Sequence, residues 1–299
     1  MSAQQLLQEG AAQGLSRMAS VVHGAAEQLA SAARVTRFLQ GRLQFQVRPD
    51  DIFISSYPRS GTTWIQQILV VLTRNGDQEG HISEFSPWFE RRLALGFDHA
   101  EDFQRLRSPR VFKSHLPYQW LPKGARYIYV SRDGRDVAVS YYHLYRTHLG
   151  YQEGFDRFYE RFCRGDVQYG SWFKHVSGWA HMRDAVGVKM VKYEDMQRDL
   201  PAVMMDLAAF CGLSLSRERI SELADFCSFG YMKRHQDRFD HATEERALRG
   251  MTTGNFVRRG KTGAFDEYFS QQQLERFEQQ TRMTRPWSRL ELRLSEFLR

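Results

Sequence analysis

Cysteine is scarce in this chain. Cys163, Cys211 and Cys227 are the whole complement, odd in number and widely separated. That pattern excludes a disulfide framework and lacks the spacing of a metal site, so it points to a reducing compartment, the cytoplasm. Long hydrophobic runs are also missing: none reaches the roughly 18 residues that a membrane span needs. The opening residues carry no basic start followed by an apolar block, and Gln4, Gln5, Gln8 and Glu9 interrupt them, which argues against a secretory signal. No zinc finger, RNA-recognition signature or basic-aromatic repeat is present, so nucleic acid is not the expected partner. The formal net charge of +7 is then either a solubilising surface or a field that attracts a small anionic ligand.

What the chain does contain is ordinary for a globular protein. Its 299 residues suit one large α/β domain or two modest ones, and 42% hydrophobic residues allow a sizeable core. Residues 1–47 are rich in Ala and Gln, with Leu6, Leu7, Leu15, Met18, Val21, Val22, Leu29, Val35 and Leu39 at loosely helical spacing. They read as one or two amphipathic helices on or beside a domain that spans 48–299.

In that domain, short β-like runs alternate with helical patterns. Strands are expected at Ile52–Ile54, Val111–Lys113, Tyr127–Val130 and Val188–Val191. Helices are expected after residue 64, from Asp136, around Ser171–Met182, at Leu200–Cys211 and Ser216–Cys227, and at Leu274–Met283 before a polar tail. Residues 74–110 show little regular pattern, and 235–263 read as a charged, glycine-containing loop of the kind that forms lids or binding segments. Such alternation predicts a single α/β domain with a central parallel β-sheet flanked by helices. Ligands of such folds lie beyond the carboxyl ends of the strands. Polar, reactive residues stand at all four of those ends: the loop at 57–64, His115, Arg132 and Tyr193.

The stretch Tyr57-Pro58-Arg59-Ser60-Gly61-Thr62-Thr63-Trp64 connects the first strand to the first helix of the domain. A glycine, hydroxyls and a cation placed where a helix begins make a site for a phosphate-like anion, because free N–H groups and the positive end of the helix dipole converge there. It is not a Walker A loop: the upstream glycine is absent and no lysine follows Gly61, which disfavours magnesium-ATP and a kinase or NTPase reading. No metal is expected.

The octapeptide closely resembles the Tyr-Pro-Lys-Ser-Gly-Thr-Thr-Trp loop of cytosolic-type sulfotransferases, enzymes that use 3′-phosphoadenosine 5′-phosphosulfate (PAPS). Further similar segments follow in the same order, from about residue 48 to about 265. Lys113-Ser114-His115-Leu116-Pro117 resembles the family's Lys-Thr-His-Leu-Pro. Ser131-Arg132 through Ser140 resembles its 3′-phosphate segment, Tyr193-Glu194-Asp195-Met196 its Tyr-Glu-Asp-Met, Ser228-Phe229 with Met232 its Ser-Phe-x-x-Met, and Arg258-Arg259-Gly260 its Arg-Lys-Gly. The resemblance implies transfer of a sulfuryl group from PAPS to a hydroxyl or amine of a small acceptor, with PAP as product. It makes His115 the catalytic base, assisted by Lys113 and Arg59. The nucleotide would be bound by Arg59, Ser60, Gly61, Thr62, Thr63, Trp64, Arg132, Ser140, Tyr193, Ser228, Phe229, Met232, Arg258, Arg259 and Gly260. Phe85, Trp88, Tyr118 and Tyr142 are the aromatics expected to line a partly apolar acceptor pocket.

Three departures stand out. Arg59 occupies the position of the family lysine, and a planar guanidinium is not a point charge. Cys227 replaces a threonine, and Gly263-Ala264-Phe265-Asp266 replaces Gly-Asp-Trp-Lys. Of the family's dimer motif only Glu275 survives, beside Asp266 and Ser270-Gln271, so the oligomeric state is left open. The altered cation and turn keep a second reading alive, that of a protein which binds the nucleotide without turnover.

Overall fold

The computed structural model describes residues 3–96, 99–239, 262–285 and 297. In chain order the helices are α1 (Ala3–Gln44), α2 (Thr62–Arg74), α3 (Ile82–Phe85), α4 (Phe89–Leu95), α5 (His99–Arg105), α6 (Gly134–His148), α7 (Phe155–Arg164), α8 (Trp172–Ala180), α9 (Tyr193–Arg198), α10 (Leu200–Cys211), α11 (Arg217–Ala224), α12 (Phe229–Arg234) and α13 (Gln271–Met283). The strands are β1 (Ile52–Ser56), β2 (Val111–Ser114), β3 (Arg126–Ser131) and β4 (Val188–Lys192). They pair in parallel in the order β2-β1-β3-β4. The chain leaves β1 toward one edge and returns on its other side at β3. The exits of β1 and β3 therefore flank the switch point where open α/β sheets bind ligands.

Strand side chains alternate between the two faces, and the residue types sort with them. Ile52 and Ile54 of β1, Val111 of β2, Ile128 and Val130 of β3 and Val191 of β4 share an aliphatic cluster with α2, α10 and α11. Phe53, Phe112, Tyr127 and Tyr129 face the other way, into a cluster with Phe38, Phe45, Phe89, Phe103 and Trp179. The register explains this aromatic layer: Phe53 lies opposite both Phe112 and Tyr127, and its ring stacks on theirs at 4.9 and 6.2 Å. A third cluster packs Tyr57 with α6, α7, α8 and α13.

The long helix α1 is one element. Phe38 on it is fully buried and meets Phe89 edge-on at 6.4 Å, while Val21, Val22 and Leu29 are exposed. A buried ion pair then ties the chain after α1 to the sheet. Asp51 takes a two-pronged bond from Arg110, at 2.7 and 2.6 Å, with both side chains fully buried. The same guanidinium donates to the Gln46 and Phe103 carbonyls and lies over the Phe45 and Phe112 rings. Four of its five N–H donors are thereby bonded, and such added hydrogen bonds are the condition under which a buried pair is tolerated.

Three outcomes differ from the sequence reading. The patternless stretch from 74 to 110 contains α3, α4 and α5, each too short to display a helical period. Helices α7, α9 and α12 were likewise not anticipated. The tail read as polar delivers Phe297 into the aromatic cluster, where it is 2% exposed. The expected charged loop falls mostly outside the described residues, and with it Arg258, Arg259 and Gly260. None of the helices among the described residues is long and apolar enough to cross a membrane.

Candidate functional site

The first half of the site is the turn from β1 into α2. Gly61 is the residue before the helix and has φ 99°. A Cβ there would sit 2.6 Å from the Tyr193 ring, so both backbone and packing require glycine. Arg59 also has a positive φ, 71°. The turn is closed by Ser60 N–H donating to the Tyr57 carbonyl and by a 2.5 Å contact between the hydroxyls of Ser56 and Thr62. Ser60 and Thr62 are buried, while Thr63 and Trp64 are half-buried. Among the described residues, the N–H groups of Gly61, Thr62 and Thr63 have no protein acceptor. Three such donors at the start of a 13-residue helix fit an anionic oxygen cluster.

Side chains from the neighbouring strand exits converge on that turn. Arg132, after β3, donates to the Arg59 carbonyl at 3.2 Å and lies 4.4 Å from the centre of the Tyr193 ring. Arg59 donates from Nε to the Ser140 hydroxyl at 3.1 Å, which links the turn after β1 to helix α6. Trp64 meets Tyr193 edge-on at 5.4 Å and donates from its indole to the Cys227 carbonyl at 2.7 Å. That last bond brings the 227–232 segment alongside. There Ser228 caps α12 by accepting from Tyr231 N–H, Met232 is buried, and Phe229 is 39% exposed. Where the chain returns to the described residues, Gly263 N–H donates to Asp136, whose carboxylate also lies 4.0 Å from Arg132.

The second half is built on the end of β2. His115 is 5% exposed. Its Nδ1 lies 2.8 Å from the Ser56 carbonyl. A carbonyl only accepts, so Nδ1 carries the proton and the Nε2 lone pair is left for chemistry. Burial pushes the His115 pKa well down, and the Lys113 ammonium adds to the effect. Lys113, itself buried, lies 4.1 Å over the Trp88 ring. Trp88 meets His115 edge-on at 5.1 Å. Ser56 thus joins the two halves, with its carbonyl on His115 and its hydroxyl on Thr62 of the anion turn.

Four residues that the sequence did not single out complete the arrangement. The carboxylate of Glu90, 1% exposed, accepts from both His115 N–H and the Trp88 indole at 2.7 Å each. His175 bonds the His115 carbonyl from Nε2 at 3.0 Å and the Tyr129 hydroxyl through Nδ1, and burial holds its pKa down at about 4. The Tyr169 ring lies 5.2 Å from His115. Asp136 meets Arg132 as described above. Only Asp136 had a legible signal, an acid four residues after an arginine at a helix start.

Among the expected acceptor aromatics, Trp88 alone touches His115 in the described contacts. Tyr118 packs on Tyr127 and Trp179 at 5.1 and 5.5 Å. Tyr142 packs among Tyr151, Phe155, Phe158 and Tyr268. Phe85 leans on the small cluster of Val70, Ile82, Met232 and Phe239. Among the described residues, no three His, Cys, Asp or Glu side chains gather as a metal site.

A parallel sheet whose central strand runs into a glycine turn, with arginines on one side and a buried neutral histidine on the other, defines an α/β protein of the P-loop type. Residues 49–289 match the sulfotransferase domain family, and the chain belongs to that family. Sulfotransferase 1C2 of Rattus norvegicus is 33% identical over 249 residues, which cover 79% of this chain and 83% of that protein. Among solved structures, mouse sulfotransferase SULT7A1 complexed with PAP is 26% identical with a TM-score of 0.65, covering 82% of this chain and 87% of that one. Retinol dehydratase in complex with retinol and PAP is 25% identical with a TM-score of 0.69, covering 82% and 84%.

Proposed function

We propose that this chain transfers a sulfuryl group from PAPS to a hydroxyl or amine of a small, partly apolar acceptor, with His115 as general base. The observation that carries the reading is the His115 imidazole, held in one tautomer by the Ser56 carbonyl and linked through Ser56 to the anion turn. When bound, PAPS supplies an electrophilic sulfuryl group on a phosphate leaving group. Gly61, Thr62 and Thr63 offer their backbone N–H groups to the 5′-phosphosulfate, and Arg59 and Lys113 bring cations to the charge that develops there. Arg132 and Ser140 hold the 3′-phosphate, where a planar guanidinium can bind two oxygens at once. Tyr193, Trp64 and the 228–232 segment, with Ser228, Phe229 and Met232, surround the adenine. The family resemblance assigns Arg258, Arg259 and Gly260, which lie outside the described residues, to the same phosphate.

His115 takes the acceptor proton on Nε2 as the new bond to sulfur forms and the bond from sulfur to the phosphate oxygen breaks. A low imidazole pKa keeps the base neutral at physiological pH. Positioning and charge stabilisation provide most of the acceleration, as in the closely related phosphoryl transfers. The acceptor lies against Trp88.

The test is incubation with labelled PAPS and a panel of phenols, alcohols and amines, beside calorimetric titration with PAP and with ATP. Label transfer that is lost in His115→Ala is expected, with PAP bound in preference to ATP. Absence of both transfer and PAP binding refutes the proposal. PAP binding with a wild-type rate no higher than that of His115→Ala leaves a nucleotide-binding protein without turnover.

A further inference from the structure

Tyr169 holds an unusual backbone conformation. Its φ is 67°, in the left-handed region, where a side chain with a Cβ is disfavoured by about 1–2 kcal/mol. Such strain persists where surroundings over-determine it, and here they do. Tyr57 and Tyr141 donate their hydroxyls to the Gly170 and Gln168 carbonyls, each at 2.8 Å, and the Tyr145 hydroxyl accepts from Gln168 N–H at 2.7 Å. The strained turn aims the Tyr169 ring at the reactive end of the site. It lies 5.2 Å from His115 and stacks along Trp88 at 6.4 Å.

The third ring on Tyr169 is Phe297, at 6.3 Å and 67° to it. Phe297 comes from the far end of the sequence yet is 2% exposed, sunk in the same aromatic cluster as Phe38 and Phe89. Phe297 therefore packs against the Tyr169 ring from within that cluster.

We propose that Phe297 is a specificity-determining positioning residue: it backs Tyr169, and the pair forms the wall that limits how long an acceptor can be while its nucleophile reaches His115. This rests on the transfer reading above. Phe297 acts through Tyr169, so its replacement changes the ranking of acceptors by length and leaves the nucleotide half of the site alone.

The experiment measures kcat/KM at saturating PAPS for 4-alkylphenols and straight-chain alkan-1-ols of increasing length, in wild type, Phe297→Ala, Phe297→Leu and Phe297→Trp. PAP affinity is measured for each by calorimetry. Phe297→Ala is expected to favour the longest acceptor over the shortest by about tenfold more than wild type does, the worth of roughly two further buried methylenes. The gain should fall mainly on acceptor KM, with PAP affinity unchanged. Phe297→Leu should keep the wild-type ranking, and Phe297→Trp should shift it toward shorter acceptors. Should Phe297→Ala fail to fold, the direction of the Phe297→Trp shift decides. A length ranking that stays within twofold of wild type in the variants that fold overturns the inference while the transfer reading stands. A wild-type protein that transfers to no acceptor of any kind overturns both.

Discussion

Glu90 offers the sharpest test of how the reactive end is held together. One carboxylate oxygen accepts both the His115 N–H and the Trp88 indole N–H, each at 2.7 Å, inside a site with almost no solvent access. In Glu90→Ala both donors lose that acceptor. A buried donor left unsatisfied costs about 1–3 kcal/mol, so the pair costs about 2–6 kcal/mol. Against a domain stability of about 5–15 kcal/mol this is a large fraction, and it should lower Tm by roughly 3–10 °C in a chain of 299 residues. Glu90→Gln is the informative partner, because its amide oxygen can still accept both bonds. Burial pushes the Glu90 carboxyl pKa up, opposed by the hydrogen bonds from Trp88 and His115. A raised folded-state pKa means that the native protein keeps a proton which the unfolded chain has released. The stability contributed by this group is full below the unfolded value of about 4.3 and is lost as pH rises through the folded value. Glu90→Gln removes that loss. The glutamine variant should therefore be at least as stable as wild type at neutral pH, with the difference closing as pH falls toward about 4. Thermal melts across that range, with acceptor KM measured beside them, provide the assay. A Glu90→Ala protein with unaltered Tm and KM would refute the reasoning. So would a Glu90→Gln protein as damaged as the alanine variant, since the oxygen acceptor is then not what matters.

Three further predictions concern separate parts of the molecule. His115→Ala should lower kcat by about 10²–10⁴. Because burial and Lys113 depress the imidazole pKa, the acidic limb of the kcat/KM profile should lie below the ordinary histidine value of about 6.5 and vanish in the variant. Gly61→Ala should weaken PAP binding by at least about tenfold in calorimetry, since a Cβ at φ 99° meets the Tyr193 ring at 2.6 Å and the left-handed backbone adds about 1–2 kcal/mol of strain. Asp51→Asn, which leaves the buried Arg110 guanidinium without its counter-charge, should cost about 3–5 kcal/mol in urea denaturation.

Much of the sheet was legible because its signals are local. Each strand is a short apolar run ending at a polar residue, and the period of two separates Ile52 and Ile54 from Phe53 without reference to anything distant. Helix α2 announced itself through Gly61 and the apolar residues behind it. Helices α3 to α5 did not, since four to seven residues span at most two turns and show no period. The glycine turn was also readable, because loop, capping glycine and helix are contiguous; family resemblance singled out the segments around Arg132, Tyr193 and Ser228, which the structure brings alongside that turn.

The acceptor end was not readable in the same way. Phe85, Tyr118 and Tyr142 are aromatics close in sequence to site residues, yet the described contacts place them in three different packing clusters. Nothing near Glu90 marks it as the acceptor for a histidine N–H twenty-five residues away. Nothing near Phe297 marks it as a neighbour of Tyr169. The distinction is physical. Backbone geometry and capping act over a few residues, so sequence alone determined the parallel sheet and the glycine turn that opens α2. Which rings and carboxylates meet at His115 depends on how separate segments pack across the aromatic face, and only the tertiary structure decided that.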